Sequence, residues 1–215
     1  MIAVTFAHPS ESRHFVRLFG GRHPEVKIFH TGVGVSACRA RLGPFLEAHR
    51  FELVISSGFA GGLDCSLGVG DLLLAENFSD PNLLAQALEA VMGRVGKMVT
   101  ADHIIESAAE RKRFATEHGA VAVDMETAWI AQACAERGLP LLSLRAISDT
   151  AAAPFPAPPK ILFDLERQST DLPKLGAHLL RHPASVVRLA RFARQIAAVR
   201  VQLALGLSVV IRELP

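Results

Sequence analysis

Acidic residues stand where two apolar runs stop. Residues 120–123 run into Asp124, Met125 and Glu126, and residues 141–147 run into Ser148 and Asp149. In an open α/β sheet a ligand sits outside the carboxyl ends of the strands, so acids there suit binding or proton transfer better than packing. Each also has a plain structural reading, Asp124 as a helix N-cap and Asp149 as the start of a turn. A third acid, Glu11, follows the first apolar run and the break at His8-Pro9. Two glycine clusters, Thr31-Gly32-Val33-Gly34 and Ser57-Gly58-Phe59-Ala60-Gly61-Gly62-Leu63, read as loops at which backbone could approach a ligand.

The elements that would position these residues alternate. Apolar runs of strand length fall at 2–7, 26–29, 53–55, 71–75, 97–100, 120–123 and 141–147. Helical patterns lie between several of them, at 36–49 behind a Ser cap, at 81–92 behind Pro81, and at 107–118, where Ser107 and Glu110 have capping-box spacing. This alternation predicts a three-layer α/β fold, a central mixed but mainly parallel sheet flanked by helices, with a basic amphipathic helix at the C-terminus. The expected organisation is an α/β body over 1–150, a Pro-rich connection over 151–160, and a helical segment of the same domain over 161–215.

Composition narrows the chemistry. The 215 residues, half of them apolar, suffice for one well-buried core. Three scattered cysteines without CxxC spacing argue against a disulfide framework or a zinc site and fit a reducing cytoplasm; Cys38 and Cys134 read as packing. The N-terminus lacks a basic region before its apolar run and reads as a first strand instead of a signal peptide. No GxxxxGK[ST] is present, and Gly32-Val33-Gly34-Val35-Ser36-Ala37 departs from the dinucleotide fingerprint. Between Lys174 and Arg212 lie seven Lys or Arg and no acid, although the net charge of the whole is +2. The basic residues interleave with Val, Leu, Ile and Phe, which suits an amphipathic helix better than a nucleic-acid surface. A helix over 183–211 would place Arg188, Arg191, Gln195 and Gln202 near one face and Val187, Phe192, Ile196, Val199 and Leu203 largely elsewhere. That pattern fits an anionic membrane surface, and equally a terminal helix packed on the core or on a second subunit.

Four pieces in this order, residues 7–11, Thr31-Gly-Val-Gly, Ser57-Gly-Phe-Ala-Gly-Gly-Leu with Gly70-Asp71 behind it, and Asp124-Met-Glu through Arg145-Ala-Ile-Ser-Asp149, resemble the nucleoside phosphorylase and nucleosidase superfamily. The pattern is nearest its methylthioadenosine/S-adenosylhomocysteine nucleosidases. The resemblance implies an enzyme that cleaves the N-glycosidic bond of a 5′-substituted adenine nucleoside without metal or organic cofactor, in the cytoplasm, as a homodimer. It implies that Glu126 holds the ribose 2′ and 3′ hydroxyls with Met125 against the sugar, that Asp149 after Ser148 gives a proton toward purine N7, and that Glu11 activates water. It implies a lining of Val33, Gly58, Phe59, Ala60 and Gly61, with His103 and Ile104 beside the base; taken alone, His103 reads as a boundary residue and Trp129 as core.

In phosphorolytic relatives arginines occupy the first loop and the strand before the glycine cluster; Glu11 and Ser56 stand in those places here, which favours hydrolysis. Arg13 and Arg39 read as surface residues ahead of phosphate ligands. Phe59 in place of a small hydroxyl residue and a short stretch between Asn77 and Lys97 imply a pocket open at the sugar's 5′ end. The shortness and the Arg-rich tail also resemble hopanoid-associated phosphorylase-like proteins, which gives phosphorolysis of an adenosyl lipid as the alternative. The alternative of another class is a nonenzymatic nucleoside-binding protein, excluded only if Glu11, Glu126 and Asp149 converge on one cavity.

Overall fold

The computed structural model describes residues 1–164 and 166–214. Strands β1 (Ile2–Phe6), β2 (Val26–His30), β3 (Leu53–Gly62), β4 (Leu72–Ala75), β5 (Arg94–Gly96), β6 (Met98–Thr100), β7 (Ala122–Asp124) and β8 (Leu141–Asp149) form one mixed sheet. Across it the order is β2-β1-β3-β8-β4-β5, with β7 on the far end of β3 and β6 beside β7. The pairings are parallel except β3 with β7 and β4 with β8. The helices are α1 (Pro9–Phe19), α2 (Val35–Glu47), α3 (Pro81–Ala90), α4 (Ala108–His118), α5 (Thr127–Ala135), α6 (Pro159–Leu162), α7 (Leu172–Arg181) and α8 (Ala184–Glu213).

Three layers result because β1, β3 and β8 are buried on both faces, as central strands are when helices cover each side. On one face Phe15 and Phe19 of α1, Leu83 and Ala87 of α3, and Val199, Leu203, Leu207 and Val210 of α8 pack on Val4, Phe6, Ile55, Leu142 and Leu144. On the other, Cys38, Leu42 and Leu46 of α2 meet Ile130 and Cys134 of α5 over Ala3 and Val54. Cys65 is exposed, while burial pushes the thiols of Cys38 and Cys134 up to about 12, so both behave as apolar filling.

The structure corrects the local expectations where backbone pairing outweighs residue preference. The glycines at 57–62 lie inside β3, not in a loop; β8 lends them a parallel partner, with a register shift between Ala60 and Gly61. Ser148 and Asp149 likewise close β8 instead of opening a loop. Helix α2 starts at Gly34 with no side-chain cap, so Ser36 lies inside it. Ser107 does cap α4, accepting from Glu110 N at 3.1 Å, but Glu110 turns to Glu106 N and to His103, leaving the box half made. Helix α1 and strand β5 were not among the expected elements, although α1 is clearly amphipathic, while α7 falls inside the helical segment expected over 161–215.

The tail divides in two. The C-terminal half of α8 is core, whereas Val186 and Val187 near its start are 50% and 64% exposed, so Val187 does not join Val199 and Leu203 as expected. Residues 185–213 are long and apolar enough to cross a membrane, yet much of that length is already buried in the sheet's helical layer.

Candidate active site

The cleft opens over the carboxyl ends of β1, β3 and β8, roughly 610 Å³ of empty space including its mouth. Its walls carry Glu11, Val33, Phe59, Ala60, Gly61, His103, Ile104, Met125, Glu126, Ser148 and Asp149, so the residues expected from widely separated segments share one cavity. Gly58 stands behind the wall. A Cβ there, where φ is +143°, would lie 2.7 Å from Arg145 Nη1 and 3.0 Å from Glu11 Oε2, so only glycine lets the strand pass that close.

Glu11 is the third residue of α1, and its placement is local in origin. Pro9 sets the first turn, His8 caps it, and the Glu11 carboxylate reaches back to accept from Ala7 N at 3.0 Å and His8 N at 3.1 Å. Its other oxygen accepts from Phe59 N at 3.2 Å across the cleft floor. Burial pushes its carboxyl above the usual carboxylate range, against these three N–H donors and the Arg145 cation.

Glu126 ends the β7–α5 turn, 5% exposed, and accepts from Gly34 N at 2.6 Å. Burial first, and the Asp124 charge second, raise its carboxyl to about 8. Asp124 is spent on structure. It accepts from Thr100 Oγ1 at 2.7 Å, from Thr127 N at 3.0 Å and from the Thr127 hydroxyl, and pairs with Arg145 Nη2 at 2.9 Å. Glu126, not Asp124, is the N-cap residue of α5, but Asp124 still accepts from the first N–H of that helix, Thr127 N. Arg145 also donates to Ser56 Oγ at 2.6 Å, which places a cation under Glu11 that the reading of Ser56 had not foreseen.

Asp149 is 2% exposed at the end of β8. Ser148 Oγ donates to its Oδ1 at 2.6 Å, and Arg111 Nη2 donates to its Oδ2. Sequence reasoning missed Arg111, because α4 shows little amphipathic period and one arginine among several gives no signal. Phe155 and Ile105 in the lining were missed as well. His103 stands at the exposed rim between Asp102 Oδ1 at 2.6 Å and Glu110 Oε1 at 3.0 Å; the hydrogen bond to Asp102 leads in raising its imidazole pKa. Arg13 is exposed and Arg39 lies 3.5 Å over the Trp129 ring, outside the cleft lining. Gln168 bridges Val33, its Oε1 accepting from Val33 N at 2.6 Å and its Nε2 donating to Val33 O at 3.0 Å, and so carries the segment after α6 to the cleft edge.

Residues 76–181 match the phosphorylase superfamily model. A 5′-methylthioadenosine/S-adenosylhomocysteine nucleosidase of Staphylococcus saprophyticus is 30% identical over 169 residues, 63% of this chain and 74% of the relative. The nucleosidase of the same name from Staphylococcus epidermidis is 28% identical over equal shares.

The chain belongs to the phosphorylase superfamily.

It is an enzyme of the nucleosidase or nucleoside phosphorylase kind. The fold agrees throughout: futalosine hydrolase of Helicobacter pylori superposes with a TM-score of 0.74 at 19% identity, covering 99% of this chain and 97% of that one. The S-adenosylhomocysteine nucleosidase of Streptococcus pyogenes gives 0.72 at 18%, covering 100% and 97%. Among the described residues of this superfamily member, no group of His, Cys, Asp and Glu could hold a metal ion.

Proposed function

We propose that the enzyme hydrolyses the N-glycosidic bond of a purine nucleoside, an adenine nucleoside with a 5′-substituted sugar by analogy with the relatives named above. The observation that carries this reading is the meeting of Glu11, Glu126 and Asp149 in one cleft. Breaking the bond sends an electron pair onto the purine and leaves an oxocarbenium-like sugar, so an acid at the base, a group that holds the sugar in place and an activated nucleophile are required. Water oxygen bonds to C1′ as the C1′–N9 bond breaks. Glu11 takes a water proton while Asp149 gives one to N7, leaving free base and free sugar. Burial raises the Glu11 carboxyl, which makes it a stronger base than an exposed carboxylate. Glu126, with Met125 beside it, accepts from the two ribose hydroxyls.

A second reading is phosphorolysis of a lipid-linked nucleoside at a membrane surface. Arg200 of α8 lies near Arg13 and Glu11 with a buried Nε that lacks a partner, and could meet an anion. Exposed Leu172, Leu180, Val186 and Val187 stand near Arg181 and Arg188 on α7 and α8. One experiment separates the two: incubation with adenosine, 5′-methylthioadenosine and S-adenosylhomocysteine, with and without phosphate, following free base and sugar. Hydrolysis gives phosphate-independent base release that Glu11→Gln abolishes. A sugar 1-phosphate formed only when phosphate is supplied would overturn it.

A further inference from the structure

Arg111 sits where the leaving group must depart, and nothing in the reaction as described uses it. Its side chain is 2% exposed yet belongs to the cleft wall. It comes from α4, apart from the elements that carry the acids, and reaches three separate segments. Nη1 donates to Gly62 O at the end of β3 at 3.0 Å, Nη2 donates to Ile105 O at 3.2 Å, and Nη2 also pairs with Asp149 Oδ2. Gly61 leaves room for this reach: a Cβ there would stand 3.1 Å from Arg111 Nη1 and 3.3 Å from Asp149 Oδ2. The Nε–H is buried without a partner. An arginine so deeply enclosed is costly to desolvate, and its contact with a carboxyl is by itself weak evidence of a gain in stability. Its placement points to the reaction instead.

We propose that Arg111 is a positioning residue for the leaving-group half of the cleavage, holding Asp149 at the base side and serving as counter-ion to the carboxylate that forms when Asp149 gives its proton to N7. This rests on the proposed glycosidic cleavage. As the C1′–N9 pair moves onto the purine and N7 gains the Asp149 proton, negative charge appears on a carboxyl that is only 2% exposed. A cation already fixed by two backbone carbonyls meets that charge without reorganising, which lowers the barrier to departure more than it strengthens ground-state binding. Ser148, donating to Oδ1, holds the other oxygen, so the pair fixes the carboxyl plane from both sides.

The test measures adenine release from 5′-methylthioadenosine by the parent, Arg111→Gln, Arg111→Lys, Asp149→Asn and the Arg111→Gln/Asp149→Asn double variant, with thermal midpoints for each. Arg111→Gln is expected to lower kcat by about a hundredfold, the loss typical of one preorganised electrostatic group, with KM within roughly threefold. Arg111→Lys, which keeps the charge, should recover about tenfold of that loss. The double variant should be no worse than Asp149→Asn within about threefold, because Arg111 acts through Asp149. A merely structural role would make the two losses multiply, and Lys would give no recovery in kcat. Either result, or an unchanged kcat in Arg111→Gln, would overturn the proposal while leaving the nucleosidase reading intact. Should Arg111→Gln fail to fold, Arg111→Lys decides: parent-like kcat, or a kcat as low as that of Asp149→Asn, would overturn the proposal. No base release by the parent from any nucleoside would sink the reading itself, and the proposal with it.

Discussion

The cleft floor contains two buried Asp–Arg pairs, and they differ in what else each aspartate touches. Asp124 receives Arg145, the Thr100 hydroxyl, and both the hydroxyl and the N–H of Thr127, so its acceptor sites are filled by protein. Among the described residues Asp149 receives only Arg111 and the Ser148 hydroxyl, which leaves acceptor capacity on its carboxyl. The same pair of residue types therefore builds a fixed turn in one place and leaves capacity for a ligand in the other. Saturation of hydrogen bonding, more than burial or charge, separates a structural acid from a reactive one.

The sharpest way to break this contrast is at the reactive pair. Asp149→Asn keeps the shape but cannot act as an acid, and base release should fall by about two to four powers of ten. Turnover within a few fold of the parent would erase the distinction. At the structural pair the damage should be to the fold: Asp124→Asn leaves the buried Arg145 short of a counter-charge and should lower unfolding stability by about 3–5 kcal/mol in denaturant titration. Parent-like stability would show that the threonines, not the ion pair, hold the turn.

Glu126 offers a test by pH. Its carboxyl is raised from 4.5 to about 8, so the folded chain holds that proton longer than the unfolded one. The contribution is fully present below about 4.5 and is lost as pH rises toward 8. The thermal midpoint of the parent should therefore drop between pH 6 and 9 by more than that of Glu126→Gln; parallel curves would contradict the assignment. The smallest effect is expected from Ser148→Ala, which removes one hydrogen bond to Asp149, worth about 0.5–1.5 kcal/mol, or roughly a two- to tenfold fall in kcat. A loss as large as that of Asp149→Asn would mean that Ser148 itself takes part in the proton transfer.

How far the site was legible follows from where its residues lie in the chain. Glu126 and Asp149 were legible because each follows a short apolar run, and Glu11 only through the family resemblance, since the His-Pro break reads as the end of a strand and not as the start of a helix. Gly58, Gly61 and Gly62 misled, since glycine signals a turn until a neighbouring strand supplies hydrogen bonds, as β8 does for β3. The tail was half legible: its basic, apolar pattern predicts a helix, but only packing tells that Val199, Leu203 and Leu207 face α1 and the sheet while Val187 faces water.

The sequence by itself determined the alternation of strands and helices, the acids at strand ends, the Ser107 cap and the absence of nucleotide-binding loops. These depend on neighbours a few residues apart, whose preferences act before the chain folds. Tertiary structure decided which aspartate would be saturated, that Arg145 would lie beneath Glu11, that Gln195 of α8 would donate to Ser148 O at 2.9 Å, and that Arg111 would cross to Asp149, 38 residues away. Such partners meet only when the sheet brings distant strand ends together, and their value arises from exclusion of water there, which no local pattern encodes.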